Sequence, residues 1–188
     1  MDLRAWIISD LVSLQTRLTG GVLEQIPYER RAERLDEGGV VPTYALWHMS
    51  RHHDVAVNKM VRGVDEVIDS WADRVGVGDD LWRGLAEAQD HELVDVLDPE
   101  AVDGYVAAVI EETARWAQTA DLSVLEEVPD SAAALASLGT PEDRFGWLYA
   151  MWADKPGSFF LQWEAIGHGY NHLGELISIR NRMGLSPF

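Results

Sequence analysis

No cysteine occurs in the chain, so disulfides and thiolate metal sites are excluded and any metal must be held by His, Asp or Glu. Basic residues are scarce: 15 Lys and Arg stand against 32 Asp and Glu, for a formal net charge of −17. A surface this negative repels phosphate backbones and anionic lipid, and no basic run reverses that locally, so neither nucleic acid nor membrane is an expected partner. Long apolar runs are missing as well. Nothing approaches the roughly 20 residues of a membrane span. Residues 1–10 are interrupted by polar side chains and lack a signal-peptide core, which makes a cytoplasmic location the expectation. There is no Gly-x-Ser-x-Gly, no phosphate-cradling glycine loop and no strand pair with turn chemistry. Any chemistry is therefore expected to be carried by a metal.

What is present reads as helix. At 188 residues the chain is expected to form a single domain, 1–188, long enough for a full hydrophobic core, and its apolar fraction of 47% is an ordinary globular value. Leu3, Ile7, Leu11, Leu14 and Leu18 keep helical spacing over four turns, with Gly20-Gly21 weakening or kinking the continuation toward Pro27. Residues 28–39 read as a loop. A second helix is expected from Pro42 to about Arg62, with Ala45, Met49, His52, Ala56 and Met60 on one stripe and His48 and His53 near its edges. Residues 63–97 break into short helical pieces separated by Gly76, Gly78 and Gly84. Asp98-Pro99-Glu100 carries an N-cap, a proline at the first helical position and a first-turn acid, and it opens a long helix through Val102, Val106, Val109, Thr113 and Trp116. Thr140-Pro141-Glu142-Asp143 repeats that signature ahead of Phe145, Leu148, Tyr149 and Trp152, and a last helix runs from about Ser158 to Met183. The expected fold class is all-α, an up-down four-helix bundle with additional short helices.

The last helix raises the functional question. With His168 at zero on a 3.6-residue wheel, Leu161, Ala165, His172, Leu176, Ile179 and Met183 fall within about a quarter-turn of it, so two histidines sit inside an apolar stripe. Buried imidazoles must be hydrogen-bonded or coordinate something. Four residues rise about 6 Å, which lets His168 and His172 aim at one ion, with a further ligand drawn from His48, His52 or His53 on the second helix. Three neutral imidazoles would leave a position open for water or substrate, the catalytic arrangement. With six histidines, such a pair arises by chance in roughly one chain in five, so its spacing alone is weak evidence; with the apolar setting and the second histidine cluster, a metal site and hydrogen-bonded core histidines are supported about equally. Glu164 and Glu175, on one shoulder of the stripe, could anchor a ring N–H, bind metal or act as a base, though solvated acids are the commoner outcome. Asp54 is open between orienting a histidine and plain surface. His91 reads as surface, and Trp47, Trp152 and Trp163 as core filler.

The run His168-Gly-Tyr-Asn-His172-Leu-Gly-Glu175-Leu, followed by Arg180 and Met183-Gly-Leu-Ser-Pro187, resembles the closing helix of the DinB/YfiT-like superfamily. That helix typically reads His-x-x-x-His-Arg-Gly-Gln-hydrophobic and ends in Gly-hydrophobic-x-Pro. Ala45-Leu-Trp-His48-Met-Ser-Arg-His52-His53-Asp54 looks like the superfamily's second-helix motif, while residues 63–139 give no specific support. The resemblance implies a four-helix bundle with a three-histidine divalent-metal site, commonly nickel, zinc or iron, whose ligands map by motif position onto His48, His168 and His172. His52 stays in reserve, because periodicity puts it closer to the stripe centre. It also implies a small-molecule substrate and a low-molecular-weight thiol such as mycothiol, since members include mycothiol-dependent maleylpyruvate isomerases and bacillithiol-type S-transferases. A thiol S-transferase or isomerase is thus the first expectation, a metal-dependent hydrolase the second. A non-catalytic ligand-binding or dimeric bundle with satisfied core histidines is the competing class, and a homodimer stays open. Leu173 and Glu175 stand where the family has Arg and Gln, which puts any substrate-anion contact from that Arg in doubt.

Overall fold

The computed structural model describes residues 2–37, 39–78, 80 and 82–188. Met1, Gly38 of the expected loop and Leu81 of an expected short helix lie outside them. Among the described residues the chain is helical with no strand. Asp2 caps α1 (Leu3–Leu18) by accepting from the Ala5 N–H at 2.7 Å, and the helix buries Ile7, Leu11, Leu14 and Leu18 along one side. Gly20-Gly21 does not end it. The rod loosens there into a π-helical segment, Thr19–Leu23. α2 (Pro42–Asp54) opens on proline at its first position and likewise passes into a π-helical segment, Val55–Val61.

Two single turns, α3 (Ala72–Val75) and α4 (Asp90–Leu93), punctuate the connection before α5 (Pro99–Thr119), which Asp98 caps through the Ala101 N–H at 2.7 Å. Val102, Val106, Val109 and Thr113 of α5 are buried in the expected register. α6 (Ser131–Ser137) and α7 (Glu142–Trp152) follow. Here the sequence misled: Thr140 does not cap α7, whose N-cap position is taken by Pro141 without any side-chain bond. The last rod comprises α8 (Gly157–Phe159), a π-helical segment (Phe160–Gly167) and α9 (His168–Arg182).

The long helices pack so that α2 lies against α5 and α9, while α1 lies against α5 and α9 from the other side. The stripe expected on α2 understates its position, because every residue from Pro42 to Asp54 is buried. Each fully buried Leu, Val or Met side chain there and on its neighbours contributes about 1.5–3 kcal/mol. A helix buried on all faces must pair its polar groups internally, and α2 does so through Asp54. That carboxylate accepts from Arg51 Nη1 (3.3 Å), Asn58 Nδ2 (2.7 Å), the Val67 and Ile68 N–H groups (3.0 and 2.9 Å) and Tyr105 Oη (2.7 Å). Asp54 is therefore neither surface nor a histidine's partner, but the hub that ties α2 to α5 and to the turn at Val67–Ser70.

At Gly169, a Cβ would come within 2.7 Å of Leu14 Cδ2, so the missing side chain lets α9 lie close on α1 beside His168. The π-helical segments Val55–Val61 and Phe160–Gly167 also pack against each other, immediately after His52 and His53 on one chain segment and immediately before His168 on the other. π-helical turns are often found at functional sites.

Candidate metal centre

Four imidazoles converge where α2 meets α9. His48 stands 4.7 Å from His52, 5.0 Å from His168 and 5.0 Å from His172 between ring centroids, and His168 lies 4.5 Å from both His52 and His172. The i, i+4 spacing on each helix stacks each pair on one face. His48, His52 and His168 each offer a ring nitrogen within 4.8 Å of the other two and could hold a metal ion. A second group of the same span joins His48 and His172 to Glu87, which the sequence reading did not single out. His53, by contrast, points away to Thr113 Oγ1 (2.9 Å), and burial brings its pKa down to about 4. His91 is exposed, as expected.

The hydrogen bonds decide which lone pairs face the centre. His48 Nδ1 meets the Gly84 carbonyl at 2.5 Å, an acceptor only, so this nitrogen carries the proton and Nε2 the lone pair. His172 Nδ1 donates to Glu175 Oε2 at 2.8 Å, which leaves its Nε2 bare and 2.9 Å from His168 Nε2. His168 Nδ1 is buried without a hydrogen-bond partner among the described residues. Either His168 donates through Nε2 and buries an unused acceptor, or it carries the proton on Nδ1. In the second case a buried donor is orphaned and two lone pairs confront each other, an arrangement that a cation relieves. His52 differs: Nδ1 faces Glu164 Oε2 at 2.9 Å and Nε2 faces the Leu85 carbonyl at 3.2 Å, so its lone pair reaches the centre only at the expense of one contact.

Burial, and then the charges that His52 and His172 would carry, push His48 well below the ordinary histidine range, against a smaller opposing pull from the Gly84 carbonyl. Burial followed by His52, His48 and His172 lowers His168 in the same way. Both rings are thereby held neutral, the form in which imidazole binds metal.

Glu164 corrects the sequence reading. It is buried at 2% exposure rather than solvated, because the π-helical segment that carries it turns its side chain inward. Its other oxygen, Oε1, is buried and unbonded among the described residues. Glu175 lies at the surface as expected, yet it holds His172 in its tautomer, as outer carboxylates do in metal sites. Trp47 and Trp152 fill the core, Trp152 edge-on to His52 at 5.9 Å, whereas Trp163 is 53% exposed and is not core filler.

Two adjoining surface cavities share Gly39 and Val40, and neither is lined by His48, His52, His168 or His172. One, about 250 Å³, is bounded by Glu175, Ser178, Ile179 and Arg182, and the other, about 220 Å³, by Arg34, Glu87, Asp90 and His91. A more apolar cavity between Trp6, Leu122 and Leu161 involves none of the histidines.

Gly84 sits at the centre's rim with φ +99°, and a Cβ there would meet Trp47 Nε1 at 2.2 Å. Gly84→Ala is expected to displace the carbonyl that orients His48, lowering metal affinity about 10- to 100-fold, as loss of an outer partner does. Calorimetric titration of the variant with zinc measures this.

No family model matches the chain, and no curated protein matches it. No helix of the described residues is long and apolar enough to cross a membrane.

Proposed function

We propose that this chain is a DinB/YfiT-like metal-binding protein in which His48, His168 and His172 hold a divalent ion, nickel, zinc or iron, for a thiol-dependent S-transferase or isomerase. The observation that carries the reading is the pair of Nε2 atoms of His168 and His172 at 2.9 Å, with the His48 ring 5.0 Å from each of theirs between centroids and His168 Nδ1 unsatisfied. The mutual packing of α1, α2, α5 and α9 supports the up-down four-helix bundle that the resemblance implies. The net charge of −17 favours cation capture.

A divalent ion in such a site lowers the pKa of a thiol or water at its open position toward neutrality. The chain's own residues do the rest. Gly84 fixes the His48 tautomer, Glu175 fixes that of His172, and Glu164 holds His52 against the cluster's flank. Burial excludes water from most of the cluster, and the cavities at Val40 are bounded by Glu175, the partner of His172, and by Glu87. A metal-dependent hydrolase would use the same ligands. Turnover separates the two: conjugation or isomerisation that needs an added thiol such as mycothiol supports the first reading, and hydrolysis at full rate without thiol contradicts it.

A further inference from the structure

Beyond the three histidines, we infer that Glu87 is a ligand of the same centre, delivered by the connection ahead of α5 rather than by either histidine-bearing helix. The inference rests on the metal centre proposed above. A carboxylate oxygen of Glu87 lies within 4.8 Å of ring nitrogens of both His48 and His172. The other two acids near the rings each hold a histidine through one oxygen, Glu164 Oε2 with His52 Nδ1 and Glu175 Oε2 with His172 Nδ1. The Glu87 carboxylate makes no hydrogen bond or ion pair among the described residues, so its oxygens are available.

The turn that presents Glu87 is fixed at several points. Gln89 Oε1 accepts from the Gly84 and Ala86 N–H groups at 3.0 and 3.2 Å. The Gly84 carbonyl accepts from His48 Nδ1–H, and Tyr44 Oη donates to the Ala86 carbonyl, so the turn is bonded to α2 at two points just ahead of Glu87. The same turn therefore orients His48 and positions a carboxylate beside its ring. Burial pulls Tyr44 far above the ordinary tyrosine range, with smaller contributions from Asp90 and Glu87, so its hydroxyl stays a donor at any working pH.

Chemically, a carboxylate added to imidazoles turns an all-nitrogen site into a mixed nitrogen and oxygen one, which favours harder or borderline cations over copper(I)-like soft ones. Because Glu87 is exposed and borders the cavity with Arg34 and His91, it is also the ligand an incoming substrate meets first.

Cobalt(II) titration of the full chain tests this, read by chelator competition and by visible absorption. Wild type and Glu87→Gln are both expected to bind one cobalt per chain. The variant is expected to bind at least about 10-fold more weakly, the lower end of what even an outer partner costs, with a stronger visible band as the coordination number falls. Glu87→Asp, which keeps the charge, should recover part of the affinity. Because Glu87 is exposed, circular dichroism should be unchanged. A Glu87→Gln chain with wild-type affinity and spectrum overturns the Glu87 assignment and leaves the histidine centre standing. A wild-type chain that develops no cobalt spectrum overturns both.

Discussion

Asp54→Ala is expected to lower the unfolding free energy by about 3–5 kcal/mol, the cost of breaking a buried charge pair by removing one partner. Asn58 Nδ2, the Tyr105 hydroxyl and the N–H groups of Val67 and Ile68 lose the acceptor they share, and Arg51 loses one of its partners while keeping Glu66 and Tyr105. Water cannot take the carboxylate's place at Arg51 or Tyr105, because both, like Asp54, are 0% exposed. Against a total stability of roughly 5–15 kcal/mol for an ordinary domain, this is enough to unfold a large fraction of molecules. Asp54→Asn, which keeps the shape and one acceptor oxygen, should lose less. Urea midpoints of the three proteins measure the effect. A loss below about 1 kcal/mol, the range of an exposed ion pair, would mean that the network does not hold α2 in place.

The second large effect concerns the centre itself. His168→Ala is expected to reduce affinity for nickel, zinc or iron by more than about 100-fold, beyond what loss of an outer partner costs. Folding should survive, since His168 is only half-buried and its Nδ1 has no bond to lose. His172→Ala should match it. His91→Ala, altering an exposed residue, should leave binding unchanged. Isothermal titration of the wild type and these variants together with His52→Ala decides the ligand set: a large loss in His52→Ala with none in His172→Ala would move it to His48, His52 and His168, whose ring nitrogens lie within 4.8 Å of one another.

Much of this was legible in the sequence wherever a signal is local and periodic. The Asp98 cap of α5 and the α1 stripe were readable because capping and helical spacing depend on residues a few positions apart. So was the apolar setting of His172, whose stripe neighbours Leu161, Ala165, Leu176, Ile179 and Met183 are all buried. Features that depend on a departure from the 3.6-residue period were not readable. Glu164 falls on the shoulder of an ideal wheel, but the π-helical segment Phe160–Gly167 rotates it into the core against His52. Asp54 carried no signal because its partners Val67, Ile68 and Tyr105 are brought to it by tertiary packing. Glu87 and the Gly84 and Leu85 carbonyls sit in a connection with no hydrophobic period, so nothing in the chain announced that it closes over the histidines. Thr140 shows the reverse failure: a capping pattern was present, but the helix began at Glu142 and left the Thr140 hydroxyl buried and unbonded among the described residues.

The most direct test of the metal centre is elemental analysis of the chain purified without a histidine tag, before and after incubation with nickel, zinc or iron and removal of free ion. The expected result is one ion per chain in the native protein and a substoichiometric trace in His168→Ala. Metal content that stays a trace in the native protein, does not rise on adding any of the three ions and is unchanged by His168→Ala would contradict it, leaving the histidines as hydrogen-bonded parts of the core.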